Sequence, residues 1–161
     1  MLESFSNWLA ATALSQLFAS TSWFVPTVQT VHILAIAAIV TAIAMINIRL
    51  LGVVRRGPDL PHIARSFLPW VWIALAVLFV TGVLLTITEP ARELQNGTFW
   101  LKMLLIVALV LLTLLVQRSV RRDPGYFSST SGRRRLGAAI GAANLLLCAG
   151  IVAAGRLIAY T

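Results

Sequence analysis

Charge is scarce in this 161-residue chain: 11% of its residues are charged, five are acidic, and neither aspartate falls within an apolar run. With 59% hydrophobic residues and a mean hydropathy of +0.90, that scarcity excludes a disordered chain and a soluble domain, leaving a membrane protein. Cysteine is nearly absent as well. Cys148 has no partner in the chain, which excludes a disulfide scaffold. No Lys or Arg precedes Arg49, and Glu3 stands where a signal peptide needs positive charge, so a cleaved signal is not expected. G-x-S-x-G, H-E-x-x-H and P-loop patterns are all missing, and no acid lies within one turn of His32, which argues against an intramembrane enzyme. The excess of cations, +8 with a pI near 11.5, lies beside apolar runs, where anionic lipid is the expected partner and nucleic acid is not.

What is present is four long apolar runs. Val25 to Ile48 carries no charge, and a helix over about 25–51 crosses a hydrocarbon core of ~30 Å. Further spans are expected at about 67–87, 99–116 and 136–158. Trp23, Trp70 and Trp72 mark headgroup levels, Ser66 is the expected cap of span two, and Pro69 falls in its expected first turn. Residues 4–19 mix polar and apolar positions with no clean face and predict a short interfacial helix anchored by Trp8. The fold expected is an all-α integral membrane domain over 1–161, a bundle of four transmembrane helices with a short N-terminal interfacial helix. The stretch from Arg121 to Arg135 has no apolar period and predicts a mobile loop.

Ten of the thirteen cations fall in the two segments joining spans one to two and three to four; Arg92, Lys102 and Arg156 lie on the other side. By the positive-inside rule the ten are cytoplasmic and both termini face outward. The expected location is a bacterial inner membrane.

His32 lies roughly 10 Å inside the outer edge at 1.5 Å per residue, and an ionisable group at that depth needs partners. It serves either as a neutral imidazole bonding between helices or as a ligand site. Gln29 and Asn47 project on the same side of span one as His32, so that side faces protein. Lys102, Thr113 and Gln117 form a second polar seam on span three. With Gln29 supplying one partner for His32, a pocket between spans one, three and four is expected to leave one nitrogen free. Glu89, Arg92, Glu93, Lys102 and Arg156 lie near one membrane depth, where they either bind an acidic group or snorkel to the interface.

Haem b coordinated by His32 is limited by the other histidine, His62, on the opposite side of the membrane. Five-coordinate haem, or haem shared between two protomers, remains open. For copper, Met45, Met103 and Cys148 are soft donors without clustered spacing. On span four, Gly137, Gly141, Asn144, Cys148 and Gly155 share one face, and Gly137 to Gly141 is a G-x-x-x-G. Such a face serves either packing inside the bundle or a homo-oligomer.

The ordered set Trp23-Phe24-Val25-Pro26, Gln29, His32-Ile33-Leu34, Asn47-Ile48-Arg49-Leu50-Leu51-Gly52, Phe67-Leu68-Pro69-Trp70, Thr81-Gly82, Glu89-Pro90, Phe99-x-x-Lys102-Met103 and Gly155-Arg156-Leu157-Ile158-Ala159-Tyr160 resembles a family of uncharacterised four-helix bacterial membrane proteins. Through Thr81-Gly82 and Phe99-x-x-Lys102 it is distantly similar to the copper-resistance D type. The resemblance implies a four-helix inner-membrane protein and marks His32, Arg49, Lys102 and Arg156. The chain departs from that pattern in having Asn47 where Asp is frequent, and Leu115-Val116-Gln117-Arg118 where a further His occurs. Two functions follow as expectations. One is a non-enzymatic accessory or small-ligand-binding subunit with its polar site around His32, alone, as a homo-oligomer or within a larger membrane complex. The other is a redox or metal-handling protein with His32 as ligand to haem b or copper.

Overall fold

The computed structural model describes residues 2–54 and 57–157. Arg55 and Arg56 of the basic segment, and Ile158 to Tyr160 of the resemblance, lie outside the described residues. Seven helices follow in order: α1 (Leu2–Ala10), α2 (Ala13–Ser20), α3 (Phe24–Leu50), α4 (Leu60–Thr88), α5 (Pro90–Leu94), α6 (Gly97–Arg122) and α7 (Ser131–Leu157). Among the described residues there is no strand. The helices α3, α4, α6 and α7 are long and apolar enough to cross a membrane.

Each spanning helix outruns its apolar segment, chiefly at the arginine-rich end. A helix continues while its i to i−4 bonds can form, and arginine is a good helix former, so Arg118, Arg121 and Arg122 extend α6 as exposed turns. The same effect corrects the start of span two. Asp59 is the N-cap of α4 and Pro61 sits in the first turn; Ser66 is interior, its hydroxyl donating to the His62 carbonyl at 3.1 Å. Pro69 is likewise inside the helix and not at its start. The N-terminal segment is two helices, because the Thr12 hydroxyl accepts from the Ser15 amide and begins α2 afresh.

α3 packs along α4 and α7, α7 packs along α6, and α6 closes the ring on α4 through a slighter contact. Facing pairs show that neighbours run antiparallel: early α3 meets late α4 at His32 and Thr81, and late α3 meets the first half of α7, Leu50 facing Gly137 and Asn47 facing Gly141. The core runs through Ile39, Ile43, Ile46, Leu68, Val71, Leu109, Val116 and Ile140. Outward positions are apolar too, Phe79 and Leu146 being 72% and 74% exposed, the pattern of a bundle whose solvent is hydrocarbon.

The two ends differ. At one, α1, α2 and α5 form a cap: Gln95 donates to the Ser6 hydroxyl at 2.9 Å, Ser15 donates to the Ile87 carbonyl at 2.7 Å, and Phe18 stacks on Phe24 at 4.2 Å. At the other, arginine-rich end, α6 and α7 are joined by a run of turns over 124–130. Phe127 is buried there against Gly137 and Leu50, and the Arg133 guanidinium lies 4.5 Å from the centre of the Tyr126 ring.

Candidate functional site

Four polar arrangements occupy the interior. The first joins His32 of α3 to Thr81 of α4, with His32 Nδ1 2.7 Å from Thr81 Oγ1. Thr81 Oγ1 also lies 2.7 Å from the Val77 carbonyl oxygen. A carbonyl can only accept, so the single hydroxyl proton goes to Val77, and Oγ1 accepts from His32 Nδ1–H. Nε2 of the neutral ring then carries a lone pair, and it has no hydrogen-bond partner among the described residues. The ring rests against Gly82, where an added Cβ would lie 3.8 Å from His32 Cε1.

These contacts correct one sequence expectation. Gln29 is exposed and does not partner His32; the partner is Thr81. The imidazole also meets span two, through Thr81 and Gly82. A polar residue beside glycine in an otherwise apolar run, Thr81-Gly82, was the available signal; its pairing with a residue 49 positions away depends on the register of α3 on α4.

The second arrangement is near the capped end. Lys102 of α6 lies along Gly155 of α7, where an added Cβ would sit 3.9 Å from the lysine Cε and Nζ. Burial pushes the Glu93 carboxyl above the usual carboxylate range, opposed by the charges of Lys102 and Arg92. Arg92 of α5 bonds Glu89, the residue before that helix, at 2.7 Å as a half-exposed pair. Arg156 is exposed in the last turn of α7. The five residues grouped by depth are thus a surface pair, Glu89 with Arg92, a more buried pair, Lys102 and Glu93, and the exposed Arg156.

The third joins α3 and α7 inside the arginine-rich half of the bundle. Asn47 Nδ2 donates to the Ile43 carbonyl at 2.7 Å, and Asn144 Nδ2 donates to Asn47 Oδ1 at 3.2 Å. Asn144 Oδ1 is buried without a partner among the described residues, beside a cavity of about 10 Å³ that Thr113 also lines. Gly141 permits the approach: a Cβ there would stand 3.0 Å from the Asn47 carbonyl oxygen. At Gly137 a Cβ would stand 2.9 Å from the buried Phe127 ring. These two glycines therefore face the chain's own α3 and connecting turn.

The fourth lies at the arginine-rich end, where Trp72 Nε1 donates to Gln117 Oε1 at 3.1 Å across α4 and α6. A cavity of about 450 Å³ opens beside this bond.

His62 lies in the first turn of α4, 19 residues before Thr81, so about 28 Å along the helix separates it from the His32 level. No group of three or more His, Cys, Asp or Glu that could hold a metal occurs among the described residues.

Fold and interior together define an all-α, four-span membrane bundle with a helical cap at one end and arginines at the other. The chain belongs to the DUF6644 family, described as a family of unknown function, whose model matches residues 5–161. No curated protein and no solved structure matches it.

Proposed function

We propose that the chain is a non-enzymatic, multi-pass protein of a bacterial inner membrane, an accessory or small-ligand-binding subunit whose binding atom is His32 Nε2. The observation that carries this reading is the Thr81 bond. It fixes the ring, commits the Nδ1 proton, and leaves Nε2 as an oriented acceptor without a hydrogen-bond partner among the described residues. An amphiphile carrying a hydroxyl, such as a quinol or a lipid headgroup, supplies the matching donor. The 10-to-3 distribution of cations supports an arginine-rich end in the cytoplasm, with the His32 level towards the outer face.

The same bare nitrogen is the atom a haem iron or a copper ion takes, so the redox reading shares the site. One preparation separates the two. Protein purified in mild detergent, compared with His32→Leu, is extracted for mass spectrometry, scanned for a Soret band and assayed for copper. The proposal expects an organic amphiphile that the folded variant lacks. A Soret band or stoichiometric copper lost in the variant replaces it with the redox reading, and identical extracts without either overturn both.

A further inference from the structure

We propose that the cavity between α4 and α6 at the arginine-rich end is a binding site for the phosphodiester headgroup of an anionic membrane phospholipid, independent of His32. The walls change character along the cavity. Arg65 and Arg121 stand at the exposed end, Trp72 and Gln117 lie deeper, and Ala64, Leu68 and Val120 supply buried apolar wall. These residues straddle the apolar segments' edges, since Phe67 begins one and Val116 ends the other. A ligand filling this space needs a charged end and an apolar end, with the junction at the membrane boundary.

Charge decides its sign. Neither Arg65 nor Arg121 has a salt-bridge or hydrogen-bond partner among the described residues, and no carboxylate lines the cavity. The two aspartates of this end lie outside the lining, and the arginines they approach are others: Asp59 lies 3.9 Å from Arg49, and Asp123 lies 3.9 Å from Arg133. Two permanently charged guanidiniums on facing helices can each fork onto phosphate oxygens.

Backbone chemistry adds an acceptor. Pro69 lines the cavity and has no N–H, so the Arg65 carbonyl loses its regular donor four residues on. A headgroup hydroxyl can donate there, which makes phosphatidylglycerol a better fit than a headgroup without donors. A volume of about 450 Å³ corresponds to roughly fifteen waters, far more than a lone anion occupies. The α4/α6 seam is the most lightly packed in the ring, leaving room for acyl chains to run on between the helices.

The test is native mass spectrometry of the delipidated full chain titrated with dioleoyl-phosphatidylglycerol or dioleoyl-phosphatidylcholine. Phosphatidylglycerol should bind in preference, and the Arg65→Gln/Arg121→Gln variant should bind it about tenfold more weakly or worse. Arg118→Gln/Arg122→Gln, with equal charge lost on exposed positions outside the lining, should bind as the parent does. Thermal melts establish that each variant folds; should the double variant not fold, Arg65→Gln and Arg121→Gln are read singly. Equal loss in both double variants would reduce the site to a diffuse basic surface and overturn the proposal. Equal binding of the two lipids, or displacement of lipid by millimolar inorganic phosphate, would also overturn it.

Discussion

Asn47 and Asn144 bond each other, yet their substitutions are not equivalent. Asn47→Ala strands both polar ends of the Asn144 amide in the bundle interior. Asn144→Ala strands only Asn47 Oδ1, because Asn47 Nδ2 keeps the Ile43 carbonyl, and it also removes the partnerless oxygen. A stranded buried polar group costs about 1–3 kcal/mol, with values near the lower end among membrane helices. Thermal melts in detergent should therefore place Asn47→Ala below Asn144→Ala by roughly 1 kcal/mol. Equal losses would mean that Asn144 Oδ1 has a donor. At this scale the sequence was informative about which residues are polar and silent about pairing. Gln117 of the Lys102–Thr113–Gln117 seam meets Trp72, a residue read as a headgroup marker. Thr113 lines the asparagine cavity and Lys102 lies along Gly155. One seam on α6 thus serves three different neighbours.

The helices were legible where an apolar run had to cross hydrocarbon, and illegible at their ends. Hydropathy stops at the headgroups, whereas helical hydrogen bonding runs on through exposed arginines; this is why α4 begins at Leu60 and not near Phe67. The glycine face of α7 was visible as a stripe, but a stripe does not say which backbone it admits. With the Asn47 carbonyl oxygen 3.0 Å and the Leu50 Cβ 3.3 Å from a Cβ built at Gly141, the admitted backbone is α3. Neither obstacle is the far end of a flexible side chain. Gly141→Ala should then cost about 1–3 kcal/mol by overpacking, read as a lower melting temperature with the oligomeric state unchanged. A variant that melts as the parent does but changes oligomeric state would assign the face to a second copy.

For the whole molecule, the four-span count and the arginine asymmetry follow from composition, because hydrocarbon tolerates neither open backbone nor unpaired charge. The cap of α1, α2 and α5 was less legible. Beside the Phe18–Phe24 stack, its contacts run through small hydroxyls, Ser6 to Gln95 and Ser15 to the Ile87 carbonyl, which add no hydrophobic period to read. If the arginine-rich end is cytoplasmic, a reporter fused after Thr161 should be active only outside the cytoplasm. Cytoplasmic activity would place the His32 level on the inner side and the lipid cavity on the outer.

The account turns on which nitrogen of His32 holds the proton. The chain has two histidines, and His62→Gln leaves one, so nitrogen-15 NMR of that variant with labelled histidine reads His32 alone. The Thr81 geometry predicts a neutral ring protonated at Nδ1 and bare at Nε2. Should the spectrum show Nε2 protonated, in either the other tautomer or the imidazolium, the acceptor would not exist and His32 would be a packing residue.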